Sequence, residues 1–335
     1  MTKRVSRREF VTGAVALGAA SLLGTPRAAV AEPPPEVTSI RLVHTPAICL
    51  APQYLVEVFL KAEGFTEIEY VKLRTTGGPE AVVEGDADMS MWDVPGIIPT
   101  IDANAPLVIL SGVHAGCYEL MVHNGIETIR DLKGRSVGIY AREGGDHIMI
   151  SSMLAYIGMN PGTDVRWVEG VDLTGPMQMF VRREVDAFLG FAPEPQELRQ
   201  RGIGRALVNT TQDRPWSQYY CCAVTANRDF ARQYPVATKR ALRAFLKAAD
   251  MCSERPVEVA RYLVERDFEP RFEIALEVLD ELPYKRWREA NVEDTIRFHA
   301  LRLHEVGMLR TAPNELVARS VDRRFLDEIR QELKA

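Results

Sequence analysis

The sequence has no pair of cysteines at C-x-x-C spacing, and no G-x-S-x-G, H-E-x-x-H, Walker or G-x-G-x-x-G pattern. Their absence removes the usual signatures of nucleophile-elbow hydrolases, zinc proteases, P-loop enzymes and dinucleotide-binding proteins. Cysteine is scarce and odd in number: Cys49, Cys117, Cys221, Cys222 and Cys252 cannot all pair, which argues against a dense disulfide framework and gives no zinc-site spacing. No metal and no cofactor are expected. No apolar run is long enough to span a bilayer of roughly 30 Å. Basic charge is also in deficit, with 41 Lys and Arg against 46 Asp and Glu.

Most informative is the beginning of the chain. Ser6-Arg7-Arg8-Glu9-Phe10 precedes a weakly apolar run from Val11 to Gly24, interrupted by Gly13 and Gly18, and Ala29-Val30-Ala31 follows. The order of charged, apolar and small residues reads as a removable export segment over residues 1–31, and the paired arginines resemble a twin-arginine signal. Such a route carries proteins folded before export, which keeps thiols reduced. No cysteine stands near the cleavage point, so no lipid anchor is expected. Loss of residues 1–31 lowers the formal net charge from −5 to −9. A surface that acidic repels nucleic acid and anionic lipid, and neither is expected as a partner. About 300 residues remain, enough for two ordinary domains.

A Pro-rich leader, residues 32–36, hands over to a pattern of alternating strands and helices. Ser39 to Val43, Ile68 to Leu73, Ala87 to Trp92 and Leu107 to Leu110 read as strands, and Pro52 to Ala62 has helical periodicity. The arrangement then repeats, with strands at Ser136 to Tyr140, Val165 to Val168, Ala187 to Phe191 and Ala206 to Val208. Helices fall near His147 to Ile157, Pro176 to Arg183 and Pro195 to Arg201. Alternation of this kind predicts an α/β chain of two lobes, each a mostly parallel sheet flanked by helices. Beyond Asn227 only helices are expected, as an extension packed on lobe one. Two β-prone runs, Tyr118 to His123 and Tyr219 to Thr225, stand where one pattern gives way to the other and are expected as hinge crossings. Lobe one is then 37–115 with 226–335, and lobe two is 116–225 with both crossings.

Asp131-Leu132-Lys133-Gly134-Arg135-Ser136-Val137-Gly138, the Gly85-Asp86-Ala87-Asp88 turn and Phe191-Ala192-Pro193-Glu194-Pro195 resemble the solute-binding proteins of ABC importers. More narrowly, the chain resembles the nitrate, sulfonate and taurine group (NitT/TauT family). The resemblance implies a type II periplasmic binding protein fold and a monomeric periplasmic receptor. Such a receptor closes two lobes on a small-molecule ligand and delivers it to an ABC permease and its ATPase, touching the membrane only through the permease. No covalent step, and hence no enzyme activity, is expected.

In open parallel sheets ligands bind beyond the carboxyl ends of the strands. In lobe one those ends offer His44, Thr45, Thr76, Gly77, Gly78, Trp92, Asp93 and His114; in lobe two, Gly144, Gly145, His147 and Glu194. Gly77-Gly78 and Gly144-Gly145 open helices, where exposed N–H groups and the macrodipole favour an anion. The three histidines can hydrogen-bond an oxyanion, and Trp92 can wall the site. Asp93 and Glu194 fit a ligand amine or serve as helix caps. The solute is therefore expected to be anionic or otherwise polar and organic. Two enzyme readings stay open beside it: Cys49 as a nucleophile, resembling a desulfinase of this fold, and Cys221-Cys222, resembling a reduced form of the cysteine-rich motif of thiamine-pyrimidine synthases.

Overall fold

The computed structural model describes residues 32–45, 47–72 and 78–333. The export segment and two of the expected site residues, Thr76 and Gly77, lie outside them. Among the described residues no helix is long and apolar enough to cross a membrane.

Two five-stranded sheets organise the chain. The first has the order β2-β1-β3-β10-β4, from β1 (Ser39–His44), β2 (Glu67–Lys72), β3 (Met89–Asp93), β4 (Leu107–Ala115) and β10 (Tyr220–Asn227). The second has the order β7-β6-β8-β5-β9, from β5 (Tyr118–Val122), β6 (Ser136–Ile139), β7 (Arg166–Glu169), β8 (Ala187–Phe191) and β9 (Arg205–Asn209). In each sheet one strand runs against the rest: β10 is antiparallel to β3 and β4, and β5 to β8 and β9. Strands β3 and β5, interior in their sheets, and β4, at the end of the first, are buried at every position, as expected of strands covered on both faces, and so read as near-continuous apolar runs. Edge strands β2 and β7 instead carry Glu67, Glu69 and Lys72, and Arg166 and Glu169, charges that blunt an open edge.

The two β-prone runs expected as crossings are these reversed strands. Tyr220–Asn227 lies wholly within the first sheet, so that sheet takes in residues the sequence assigned to lobe two. Tyr118–Val122 lies wholly within the second. Their apolar character comes from burial between two neighbours rather than from bridging. The chain actually crosses at Gly116-Cys117 and along residues 210–219. At Gly116, φ is +65° and a Cβ would sit 2.4 Å from the Thr211 backbone, so the two crossings touch where only glycine fits. The Thr210 side chain ties them further, its Oγ1 donating to the Tyr118 carbonyl at 2.8 Å.

Helices cover both sheets. The helix α1 (Ala51–Ala62) starts with Pro52 in its first turn and buries Tyr54, Leu55, Val56 and Leu60. A helix the sequence pattern concealed, Val94–Asp102, contains Pro95 and Pro99. Pro95 falls in the first turn, where an N–H has no partner to lose, and Asp93 caps the helix by accepting from Gly96 N at 2.7 Å. The long helix Pro235–Glu254 packs along α1, fixed by buried Glu63, which binds Arg243 at 2.9 Å and Lys247 at 2.8 Å. The leader is docked rather than solvated at its end: the Glu36 carboxylate accepts from Val236 N and Ala237 N at the start of that same helix. Residues of the C-terminal helices also reach beyond the first sheet's half, because the Ser152 hydroxyl and Nδ1 of His299 share a hydrogen bond of 3.0 Å and Arg199 pairs with Glu277 and Glu281.

Strands β1 and β3 pair at Leu42 and Met89 alone and then diverge toward their carboxyl ends. Buried Gln53 bridges the gap, its Nε2 donating to the Val43 carbonyl at 2.6 Å and its Oε1 accepting from Met91 N at 2.5 Å. Each orphaned buried group costs about 1–3 kcal/mol, so Gln53→Leu, which orphans two, is expected to lower the unfolding free energy by about 2–6 kcal/mol in urea titrations. A variant as stable as the parent would show that water repairs the gap.

Candidate functional site

The carboxyl ends of β1, β3, β6 and β8 converge on a chamber of about 40 Å³, room for on the order of three waters or a small solute. Its walls come from both halves. Thr45, Cys49, Trp92, Asp93 and Cys222 belong to the first, Tyr118, Tyr140, Leu173 and Phe191 to the second, and Cys117 to the crossing. Trp92 and Tyr140 also line a wider outer cavity of about 460 Å³ with Arg142, Gly144 and Gly145. These two rings therefore stand between the chamber and the outer space. The Thr45 hydroxyl has no hydrogen-bond partner among the described residues and is a polar atom available to a guest.

Asp93 is the chamber's carboxyl group. Burial, with Cys222 as the next contribution, pushes its pKa from 3.8 up to about 7 against the opposing bonds from Gly96 N and the Tyr118 hydroxyl. Across the seam stands the first turn of α4, Gly145–Tyr156 (α2 and α3 are Gly78–Val83 and Val94–Asp102). A Cβ on Gly145 would lie 2.1 Å from Asp93 Oδ2, so glycine lets the carboxyl approach the helix start. Gly145 N donates to the Tyr140 hydroxyl at 2.6 Å and Gly144 N to the Ala141 carbonyl at 3.2 Å, so these N–H groups are already used within their own half.

The other predicted residues are scattered. Gly78 packs on the Trp92 ring, where a Cβ would meet it at 2.2 Å; its smallness serves packing. His44 lies away from the chamber in an aromatic group with Tyr54 and Phe268, and burial with Lys72 lowers its pKa. His147 stands edge-on to Trp167, accepts from Glu143 N at 3.0 Å on Nδ1, and is driven by burial to a pKa of about 4. Glu194 is buried at the start of helix Glu194–Arg201, with Oε2 accepting from Phe191 N and Oε1 unpartnered among the described residues; burial raises its pKa well above the usual carboxyl range. Thr45, Trp92 and Asp93 are the predicted residues that line the chamber.

Sequence reasoning missed the thiols as a group. The sulfurs of Cys49, Cys117 and Cys222 lie within 4.8 Å of one another, all buried, and Cys221 Sγ is 3.9 Å from Cys222 Sγ. Cys49 lies in the short turn Ile48–Leu50 after β1, Cys117 in the crossing with φ +140°, and Cys222 in β10. No spacing along the chain reveals this, since the three come from segments far apart in sequence. A partial signal exists: all three stand at the cleft-facing ends of the elements that meet at the crossing. His114 lies beside them, its Nδ1 donating to the Gly116 carbonyl at 3.0 Å and its Nε2 without a hydrogen-bond partner among the described residues. Burial disfavours the charged imidazole, but Cys222 and the Gly116 carbonyl raise its pKa overall. At Cys222 burial is likewise outweighed by the thiols of Cys117, Cys221 and Cys49 and by His114, which together hold its pKa well below the usual value. Cys117 and Cys221 are pushed up chiefly by burial; at Cys49 the Cys117 contact lowers the pKa, but Cys222 and burial raise it further. Within the cluster deprotonation is thus favoured at Cys222 and disfavoured at Cys49, which is not the activated thiol that a nucleophile requires.

The two halves meet through direct contacts around the chamber. Ile48 N donates to the Ala192 carbonyl at 3.1 Å, Gln196 Nε2 to Glu281 at 2.7 Å, and Arg271 pairs with Glu197 at 2.8 Å. This is a closed arrangement.

A carboxyl whose folded pKa lies above its unfolded value holds a proton that the unfolded chain has already released. Asp93 therefore lowers stability as pH rises from about 4 to about 7. In Asp93→Asn that contribution disappears, and the melting temperature is expected to fall less over this interval than in the parent, by on the order of 3 kcal/mol of stability at most. Parallel pH profiles for the two proteins would remove the assignment.

A family model described as NMT1/THI5 like matches residues 59–259, more than half of the chain. Comparison with curated proteins yields no match. Among solved structures, the periplasmic nitrate-binding protein of Synechocystis PCC 6803 is similar, with a TM-score of 0.75 at 18% identity over 90% of each chain. The alkanesulfonate-binding protein of Xanthomonas axonopodis pv. citri, bound to MOPS, gives 0.71 at 17% identity over 86% of this chain and 99% of that one. A Candida albicans protein described as exhibiting the generic periplasmic binding protein fold gives 0.68 at 13% identity over 86% and 97%. The paired sheets, the two crossings and the chamber between them are thus the periplasmic binding protein fold, and the chain belongs to the NMT1/THI5-like family.

Proposed function

We propose that this protein is an extracytoplasmic solute-binding receptor that encloses a small guest between its two lobes and hands it unaltered to an ABC permease driven by its ATPase. The observation that carries the reading is the chamber itself, at the carboxyl ends of both sheets with walls supplied by both halves. A guest there touches both lobes at once, and only such contacts favour the closed form over an open one. Export through the twin-arginine segment and a periplasmic site of action belong to the same reading, as does a monomeric receptor.

The lining narrows the guest. Among the described residues no Lys, Arg or His lines the chamber, whose lining residues carry thiols, two tyrosine hydroxyls, the Trp92 indole N–H, the Thr45 hydroxyl and the Asp93 carboxyl. Burying an unpaired anion against such walls costs several kcal/mol, so a neutral polar or cationic solute fits better than nitrate or a sulfonate.

Three experiments test this. In Gly145→Leu the side chain collides with Asp93 and is expected to hold the lobes apart, raising the radius of gyration in small-angle X-ray scattering and abolishing guest binding; parent-like compaction with intact binding would overturn the closure mechanism. A thermal-shift screen of neutral, cationic and anionic solutes should find its hits among the first two, a ligand at a hundred times its dissociation constant stabilising by about 2.7 kcal/mol. For export, replacing Arg7 and Arg8 together by lysine should leave the protein in the cytoplasmic fraction, and unchanged export would exclude the twin-arginine route.

A further inference from the structure

Three sulfurs converge in the chamber floor with no disulfide among them. Held in one plane by an ion at the usual metal–thiolate distance of about 2.3 Å, three sulfurs stand roughly 4 Å apart. The ligand atoms of Cys49, Cys117 and Cys222 already lie within 4.8 Å of one another, so small side-chain rotations complete such a set. All three cysteines line the chamber, which gives an ion a place to enter.

We propose that Cys49, Cys117 and Cys222 form a three-thiolate site for a soft monovalent cation, Cu(I), and that this ion is the guest of the receptor described above, on which reading the inference rests. Ligand chemistry selects the ion. Thiolates favour Cu(I) over hard cations, and the oxygen donors that Mg²⁺ or Ca²⁺ require are nearly lacking: Asp93 is the only carboxyl among the described lining residues, and its Oδ2 accepts from Gly96 N. Zn²⁺ prefers four ligands in a tetrahedron, whereas the set of ligand atoms within 4.8 Å of one another holds three sulfurs, with Cys221, 3.9 Å from Cys222, and His114 both outside it. Each thiol that ligates gives up its proton, so uptake is accompanied by proton release. Placement matters as well. One ligand follows β1, one sits in β10, and Cys117 lies in the crossing between the halves, so an ion that draws the sulfurs together also fixes the crossing.

The test is anaerobic titration of the mature chain with Cu(I) buffered by bicinchoninate. The expected result is one ion per chain, with affinity reduced at least tenfold in Cys49→Ser, Cys117→Ser and Cys222→Ser and unchanged in Cys252→Ser. X-ray absorption of the loaded parent protein counts three sulfurs without relying on any variant. No retained Cu(I), equal retention by the three serine variants, or a first shell of nitrogen and oxygen would overturn the site. Displacement of Cu(I) by equimolar Zn²⁺ would overturn the choice of ion. Stoichiometric three-sulfur binding without compaction of the lobes in small-angle scattering would leave the site standing and remove the receptor reading, so the two fail separately.

Discussion

A single carboxyl group taken out of water sets how the two halves meet. Asp93 closes β3, caps the helix that follows, receives the Tyr118 hydroxyl from the other half, and faces a helix start whose first residue has no side chain. Each of these contacts offsets part of the cost of burying the group, and none alone is sufficient, which leaves its pKa near 7 rather than in the usual carboxyl range. Glycine at position 145 is what permits the approach. The closed seam is thus defined by one polar atom from one half and the lack of an atom in the other.

Around that seam the structure separates holding from binding. Ion pairs such as Arg271 with Glu197 and Arg199 with Glu281 lie on the half-exposed rim, where their net worth is small and screened by salt. The chamber within is apolar apart from hydroxyls, thiols, the Trp92 indole N–H and Asp93. At the crossings Gly116 stands against Thr211 with no space for a side chain.

Much of the fold was legible in the sequence because strand and helix periods are local. The two sheets, their mostly parallel sense and the helical C-terminal region follow from alternation and from apolar stripes. The misread crossings show the limit. Tyr118–Val122 and Tyr220–Asn227 are apolar because each is an interior strand running against its neighbours, and burial on two sides looks the same in sequence whether a strand lies within a sheet or leads between sheets. Val94–Asp102 was concealed by its prolines, which the first turn and one forfeited hydrogen bond accommodate.

At the site, sequence by itself determined that carboxyl strand ends would supply the walls, and it named Thr45, Trp92 and Asp93 among them, because strand direction fixes which end of a sheet is open. Tertiary structure alone decided that His44 and His147 turn into aromatic packing, that the N–H groups of Gly144 and Gly145 are used internally, and that three cysteines distant in the chain share one floor. The physical reason is that a side chain's neighbours across a seam depend on how two sheets are oriented by their crossings, and that orientation leaves no periodic trace in the order of residues.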